Sequence, residues 1–255
     1  MTVQMLAVKG LTKWYEGSDR PAVVRLSFRA KRGEIVGVLG TNGAGKTTTL
    51  SIIAGLLPPT SGDVTVSGYS VSRDPLLVKK RIGYMPENPH LYERLTGWEF
   101  LRLIIDLRGV DREKGERFMS ELGEYIELYD RLDDFISTYS KGMIQKLAFM
   151  AAVGHRPKVL LLDEPFSGID PVASRKMREW VRGYAKKGHT VLLSTHIIDL
   201  AQRMCDHVII IHEGSKVEAG TIPEIVGRAG VEQLEDAFIH VIGRNRRANG
   251  VASAR

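Results

Sequence analysis

Apolar residues along this 255-residue chain gather into short runs separated by longer segments of helical period. The runs at 35–39, 63–66, 158–163, 189–194 and 206–211 are rich in leucine or β-branched residues, which predicts strands. Residues 45–54 and 171–187 repeat their apolar positions at helical spacing. Strand and helix thus alternate, which predicts an α/β fold with a largely parallel sheet covered by helices. Two features depart from that rhythm. Residues 4–12 and 22–29 alternate in the manner of antiparallel strands, and 214–220 read as a strand following a turn. Between 96 and 153 no strand pattern occurs, and the segment opens on Thr96-Gly97-Trp98-Glu99, a capping box ahead of Phe100, Leu101, Leu103, Ile104 and Leu107. A helical insertion over 96–153 is expected, set into a core of 1–95 and 154–243 within one domain.

Composition narrows the class. With 43% hydrophobic and 26% charged residues the chain can bury a substantial core, which excludes disordered, collagen-like and small disulfide-stapled proteins. No run approaches about 18 consecutive apolar residues, so no membrane-spanning helix is expected. Residues 1–10 lack the basic flank and apolar stretch of a secretory signal. Cys205 is the one cysteine, which rules out an internal disulfide and fits a reducing compartment. The formal charge is +6, but Arg244, Arg246, Arg247 and Arg255 sit in the last twelve residues with no acid among them. Residues 244–255 are expected to form a solvated, disordered tail rather than a nucleic-acid or lipid contact.

Gly40-Thr41-Asn42-Gly43-Ala44-Gly45-Lys46-Thr47 has the spacing G-x-x-x-x-G-K-[ST], directly after the predicted strand 35–39 and directly before a helical pattern. Glycines let such a loop fold tightly so that its N–H groups face a phosphate, and the helix N-terminus adds its dipole. Lys46 can neutralise terminal phosphates, and the Thr47 hydroxyl can ligate Mg²⁺. A second signal is Val159-Leu160-Leu161-Leu162-Asp163-Glu164, an apolar strand ending in two carboxylates. Buried acids are costly without a cation or water beside them. In a phosphate-binding context Asp163 would hold Mg²⁺, directly or through water, and Glu164 would orient and deprotonate the attacking water. Together the two motifs predict a P-loop nucleotide hydrolase.

Tyr139-Ser140-Lys141-Gly142-Met143, in the insertion and ahead of Asp163, narrows the class again. It resembles the leucine-serine-glycine-glycine-glutamine signature of ATP-binding cassette (ABC) ATPases, with strict identity at Ser140 and Gly142. A serine hydroxyl and a glycine N–H at the start of a helical segment form an anion site. Other features that resemble the family follow in order over about residues 6–221. Tyr15 resembles the aromatic residue that stacks on adenine, with Trp14 the competing position. Ser167-Gly168-Ile169-Asp170-Pro171 is similar to the loop after the catalytic glutamate, where Asp170 would contact an opposing subunit. Ser194-Thr195-His196 is similar to the strand end that carries the switch histidine of the γ-phosphate. Pro86-Glu87 stands where the family has a glutamine that contacts Mg²⁺ and the attacking water, so the resemblance gives Glu87 that role with an added negative charge.

The resemblance implies an ATP-binding and ATP-hydrolysing subunit of a transporter, with ATP and Mg²⁺ as cofactors. It implies two ATP molecules sandwiched head to tail between two copies of the chain, or between it and a similar cassette. Each ATP would be held by residues 40–48, Thr48 included, of one subunit and by Ser140 to Gly142 of the other. The implied location is cytoplasmic, peripheral at the inner face of the cell membrane on a separate transmembrane permease subunit, with no specific nucleic acid expected. Leu234-Glu235-Asp236-Ala237-Phe238-Ile239 resembles the C-terminal stretch of cassettes from bacterial exporters, as do the signature and Pro86-Glu87, so export is expected. An amphipathic closing helix would explain the same terminal stretch. The alternative is a soluble ABC-type ATPase acting on ribosomes or DNA, disfavoured because such chains typically carry two cassettes or a long coiled coil.

Overall fold

Strands form where the apolar runs lie. In chain order they are β1 (Gln4–Lys13), β2 (Val23–Lys31), β3 (Ile35–Leu39), β4 (Ser61–Val66), β5 (Tyr69–Ser70), β6 (Ile82–Met85), β7 (Val159–Asp163), β8 (Thr190–Thr195), β9 (His207–His212) and β10 (Ser215–Gly220). The helices are α1 (Lys46–Ile53), α2 (Pro75–Lys79), α3 (Gly97–Leu107), α4 (Arg112–Tyr125), α5 (Lys141–Val153), α6 (Pro171–Lys186), α7 (Ile198–Met204), α8 (Ile222–Ala229) and α9 (Leu234–Ala252). The computed structural model describes residues 3–252, with side chains through 244.

Among the described residues all ten strands join one sheet in the order β5-β4-β1-β2-β10-β9-β3-β8-β7-β6. From β9 to β6 every neighbouring pair is parallel. By contrast β1 pairs antiparallel with β2 and β4, and β10 folds back antiparallel on β9. The antiparallel and parallel parts meet at one parallel pair, Ser215 with Val24. The central strands are buried on both faces, as parallel strands between two helix layers must be. Leu160 and Leu162 enter one core layer with Phe149 of α5 and with Met177 and Val181 of α6. Val159 and Leu161 enter the other layer with Leu50 and Ile53 of α1. Each such side chain stabilises the fold by about 1.5–3 kcal/mol, so a carboxylate at the end of β7 stands out against its surroundings.

The insertion is helical, as its pattern predicts. Its α3 opens on the expected capping box, with Glu99 N donating to Thr96 Oγ1 at 3.1 Å and Thr96 N donating to Glu99 Oε2 at 2.8 Å. Its last helix, α5, returns to run directly against β6. Gly83 sets that close approach, because a β-carbon there would stand 2.0 Å from the Ala152 carbonyl oxygen. One expectation is corrected at the C-terminal end. The sequence reading expects a disordered tail from 244, whereas the backbone of α9 continues as helix to Ala252. Leu234, Ala237 and Ile242 bury the first turns of α9. Extending an already nucleated helix through arginine and alanine is far easier than starting one. Residues 253–255 of that tail lie outside the described residues.

Candidate active site

The loops that follow β3, β8, β7 and β6 stand side by side at the carboxyl ends of those strands, where open α/β sheets bind their ligands. Strand register sets this row: Leu39 lies opposite Thr195, Asp163 opposite Ser194, and Met85 opposite Leu162. Four separate stretches of sequence thereby deliver Lys46, His196, Glu164 with Asp163, and Glu87 to one edge.

The phosphate loop passes into α1 at Gly45, whose φ is +102° and whose β-carbon would fall 2.4 Å from the Ala22 carbonyl oxygen. Only glycine fits there. Ala44 is buried, and its carbonyl accepts from Gly214 N at 3.1 Å, which moors the loop to the β9–β10 turn. Lys46 folds back over the loop, donating to Gly40 O at 2.9 Å and Thr41 O at 3.2 Å, and its Nζ stands 3.4 Å from Glu164 Oε1. Both members of this ion pair are buried. Stripping one partner from a buried pair typically costs about 3–5 kcal/mol, so Lys46 is a cation that only another anion, such as a phosphate, can draw away from Glu164.

Glu164 has φ +46°, uncommon outside glycine. Its N–H is held by Ser194, bonding to Oγ and to the carbonyl oxygen at 3.2 Å each. This bend aims the carboxylate between Lys46 and two residues at the end of β8, Thr195 and His196. Oε1 is 2.9 Å from His196 Nδ1, and Oε2 accepts from Thr195 Oγ1 at 3.3 Å. A carboxylate only accepts, so Nδ1 carries the proton and Nε2 is left for another partner. Asp163 is wholly buried; its Oδ1 accepts from the Ser194 hydroxyl, and its Oδ2 has no partner. Burial pushes this carboxyl above the usual carboxylate range, the Glu87 and Glu164 charges add to the rise, and the Ser194 and Thr47 hydroxyls oppose it. A buried, unpartnered carboxylate oxygen near a threonine hydroxyl and a second acid suits a small hard cation. Mg²⁺ is commonly held through one or two carboxylates together with phosphates and waters, and Asp163, Thr47 and Glu87 offer that set.

Asn42, Gly43, Gly45, Lys46, Thr47, Thr48 and Glu87 line one cleft of about 220 Å³. Beside it the Tyr15 hydroxyl lies 3.2 Å from Thr48 Oγ1, with the ring partly exposed. Trp14 is equally exposed, but its backbone N–H bonds to Thr60 Oγ1, so Tyr15 is the aromatic tied to the phosphate loop. A second cleft of about 440 Å³ is lined by Ser140, Lys141, Gly142, Met143, Lys146, Gly168 and Asp170. Ser140 caps α5, accepting from Met143 N at 3.3 Å, and Asp170 caps α6, accepting from Ala173 N at 2.8 Å. The structure therefore brings Ser140, Gly142 and Asp170 to each other and does not bring them to Lys46.

Sequence reasoning missed three residues here. Ser194, at the end of an apolar strand, grips both Asp163 and Glu164. Gln145 Nε2 donates to Glu87 O at 2.6 Å, and Lys146 Nζ stands 3.4 Å from Asp170 Oδ2. A signal for the last two was present: adjacent polar residues inside the otherwise apolar run from Met143 to Val153.

Known proteins resemble this chain in sequence and in fold. The family model described as ABC transporter matches residues 23–167. The ABC-type transporter ATP-binding protein EcsA of Bacillus subtilis is 36% identical over 241 residues, which cover 94% of this chain and 97% of EcsA. The linearmycin resistance ATP-binding protein LnrL of the same organism is 34% identical over 97% of this chain and 81% of its own length. Among solved structures, an ATP-binding subunit of an ABC transporter gives a TM-score of 0.88 at 35% identity, covering 93% of this chain and 99% of that one. An ATP-binding cassette in a dimeric post-hydrolysis state with ADP and Pi gives 0.78 at 25% identity, covering 85% and 98%. By its family match, its relatives and its fold, the chain belongs to the ABC transporter family, as an ATP-binding and ATP-hydrolysing cassette.

Proposed function

We propose that this chain powers export through a separate membrane subunit, pairing with a second cassette around two Mg-ATP molecules and parting when they are hydrolysed. The observation that carries this reading is the separation of the two clefts. Lys46, Thr47 and Glu87 line one, Ser140, Gly142 and Asp170 line the other, and they share no residue. A phosphate held by one chain meets a signature serine only across a partner. The dimeric form of the solved cassette with ADP and Pi supports the same assembly.

Within each site, Tyr15 stacks on adenine, and the loop of Gly40 to Gly45 with Lys46 and Thr48 grips the phosphates. Asp163, Thr47 and Glu87 hold Mg²⁺, which when bound neutralises phosphate charge. ATP competes for the Lys46 charge, which releases Glu164 Oε1 to take a proton from the attacking water. His196, with a proton on both ring nitrogens, donates to Glu164 through Nδ1 and to the γ-phosphate through Nε2, while Ser140, Gly142 and Asp170 act on the neighbour's nucleotide.

A groove of about 1330 Å³ between core and insertion supports a membrane partner. It is lined by Leu56, Leu76, Leu77, Tyr84, Ile104 and Leu107 among others, and Leu76 and Leu107 are each 74% exposed. Clustered exposed leucines mark interaction surfaces, and Tyr84 lies on β6, three residues before Glu87. A cytosolic segment of the permease seated there would place the cassette at the inner face of the membrane. Among the described residues no helix is long and apolar enough to cross a membrane. The name of LnrL, a resistance protein, supports outward transport. Nothing in the site favours the ribosome- or DNA-directed alternative.

Complementation tests the shared sites. A dimer of one Ser140→Arg chain and one Lys46→Ala chain keeps one composite site whole and loses the other twice over. ATPase activity is expected to return in the mixed dimer to roughly half that of wild type, whereas each variant alone is inactive. A verified mixed dimer with no activity contradicts the reading. Glu87 gives a second expectation. Glu87→Gln removes a negative charge near the cation, so half-maximal ATPase should require a few-fold more Mg²⁺, with ATP affinity changed less than about threefold. Superimposable Mg²⁺ titrations would take Glu87 out of the metal's field.

A further inference from the structure

α5 carries two polar side chains in mid-helix, and both are buried: Gln145 is 1% exposed and Lys146 7%. Gln145 Nε2 donates to the Glu87 carbonyl oxygen at 2.6 Å, while its Oε1 is buried with no partner. An unsatisfied buried acceptor is unfavourable, and an apolar side chain of the same size would avoid it. Packing therefore does not account for a glutamine at this position; its bond to the loop of Glu87 does. Lys146 Nζ stands 3.4 Å from Asp170 Oδ2 and 3.4 Å from the Glu127 carbonyl oxygen. The other oxygen of Asp170 caps α6 through Ala173 N. The capping amide, and then Lys146, hold the Asp170 carboxyl below its usual range. One carboxylate thus ties α6 to α5.

We infer that Gln145 and Lys146 are positioning residues: α5 grips the loop of Glu87 with the first and the loop of Asp170 with the second, and its N-cap is Ser140. The phosphate cleft and the signature cleft, which share no lining residue, are joined through the body of this one helix. Through these two contacts the loops of Glu87 and Asp170 keep a fixed position relative to Ser140. The inference rests on the paired-cassette reading above, because the signature cleft acts only on a neighbour.

The test compares Gln145→Met, Lys146→Met and Lys146→Arg for kcat, KM for ATP and thermal melting. It also measures ATP-driven pairing of the same variants in a Glu164→Gln background. Gln145→Met loses one hydrogen bond and one unsatisfied acceptor, so melting stays near wild type while kcat falls about tenfold at a KM within about threefold. Lys146→Met lowers kcat similarly, and Lys146→Arg restores most of it by keeping the charge at Asp170. Wild-type kcat in well-folded Gln145→Met and Lys146→Met overturns the inference. So does a kcat loss that merely follows melting and that Lys146→Arg fails to rescue. If Gln145→Met does not fold, the contrast between Lys146→Met and Lys146→Arg decides alone. Absence of ATP-driven pairing in the Glu164→Gln parent overturns the dimer reading and this inference together, whereas pairing with unaltered kinetics overturns this inference alone.

Discussion

Glu164→Gln should bind Mg-ATP as the wild type does and hydrolyse it at least about a hundredfold more slowly. Glutamine keeps the shape of the side chain and a carbonyl oxygen for His196, yet it cannot accept the proton of the attacking water. Its neutrality also removes the buried partner of Lys46, now 3.4 Å away, so the lysine is held less tightly on its own loop and meets the phosphate more readily. Binding is therefore retained while chemistry is lost. Single-turnover hydrolysis separates the two, and a near wild-type rate would show that Glu164 is not the proton acceptor.

Lys46→Ala is expected to act on binding itself. A charge-assisted hydrogen bond is worth about 1.5–3 kcal/mol, which corresponds to roughly a ten- to hundredfold loss of ATP affinity. The substitution also leaves the buried Glu164 with His196 and Thr195 as its remaining side-chain partners. A lower melting temperature should accompany the affinity loss, and circular dichroism at the titration temperature confirms that the folded chain is being measured. Unchanged affinity in the folded variant would remove Lys46 from the phosphate site.

Both predictions concern residues legible in the sequence, because their chemistry lies in local spacing. A lysine after a glycine loop and two acids after an apolar strand carry their meaning within a few positions. The strands were legible for a similar reason: residues such as Leu160 to Leu162 are buried on both faces, and continuous apolar runs report that directly. What local pattern does not carry is register across the sheet. Asp163 opposite Ser194 and Leu39 opposite Thr195 are pairings over long sequence separation, and they turn Ser194 into the residue that orients both acids. The grip of Gln145 on Glu87 is of the same kind, since it depends on Gly83 letting α5 lie against β6. The course of α9 beyond 243 was misread for a different reason. Charge and position pointed to a loose tail, whereas a helix already anchored by Leu234 and Ala237 extends at little cost. The stretch from Leu234 to Ile239, read from resemblance as an exporter's mark, is also the start of that helix, anchored by Leu234 and Ala237 with Ile239 exposed.

Composite sites are the centre of the account, and the mass of the Glu164→Gln chain in solution tests them most directly. Light scattering should show 28.4 kDa without nucleotide and twice that mass with Mg-ATP, because slow hydrolysis preserves the closed pair. Adding Ser140→Arg to the same chain should keep ATP bound and hold the mass at that of one chain, since the arginine fills the signature cleft that must receive the partner's phosphate. A chain that binds Mg-ATP yet stays at the single-chain mass, or a Ser140→Arg chain that pairs equally well, would contradict the account.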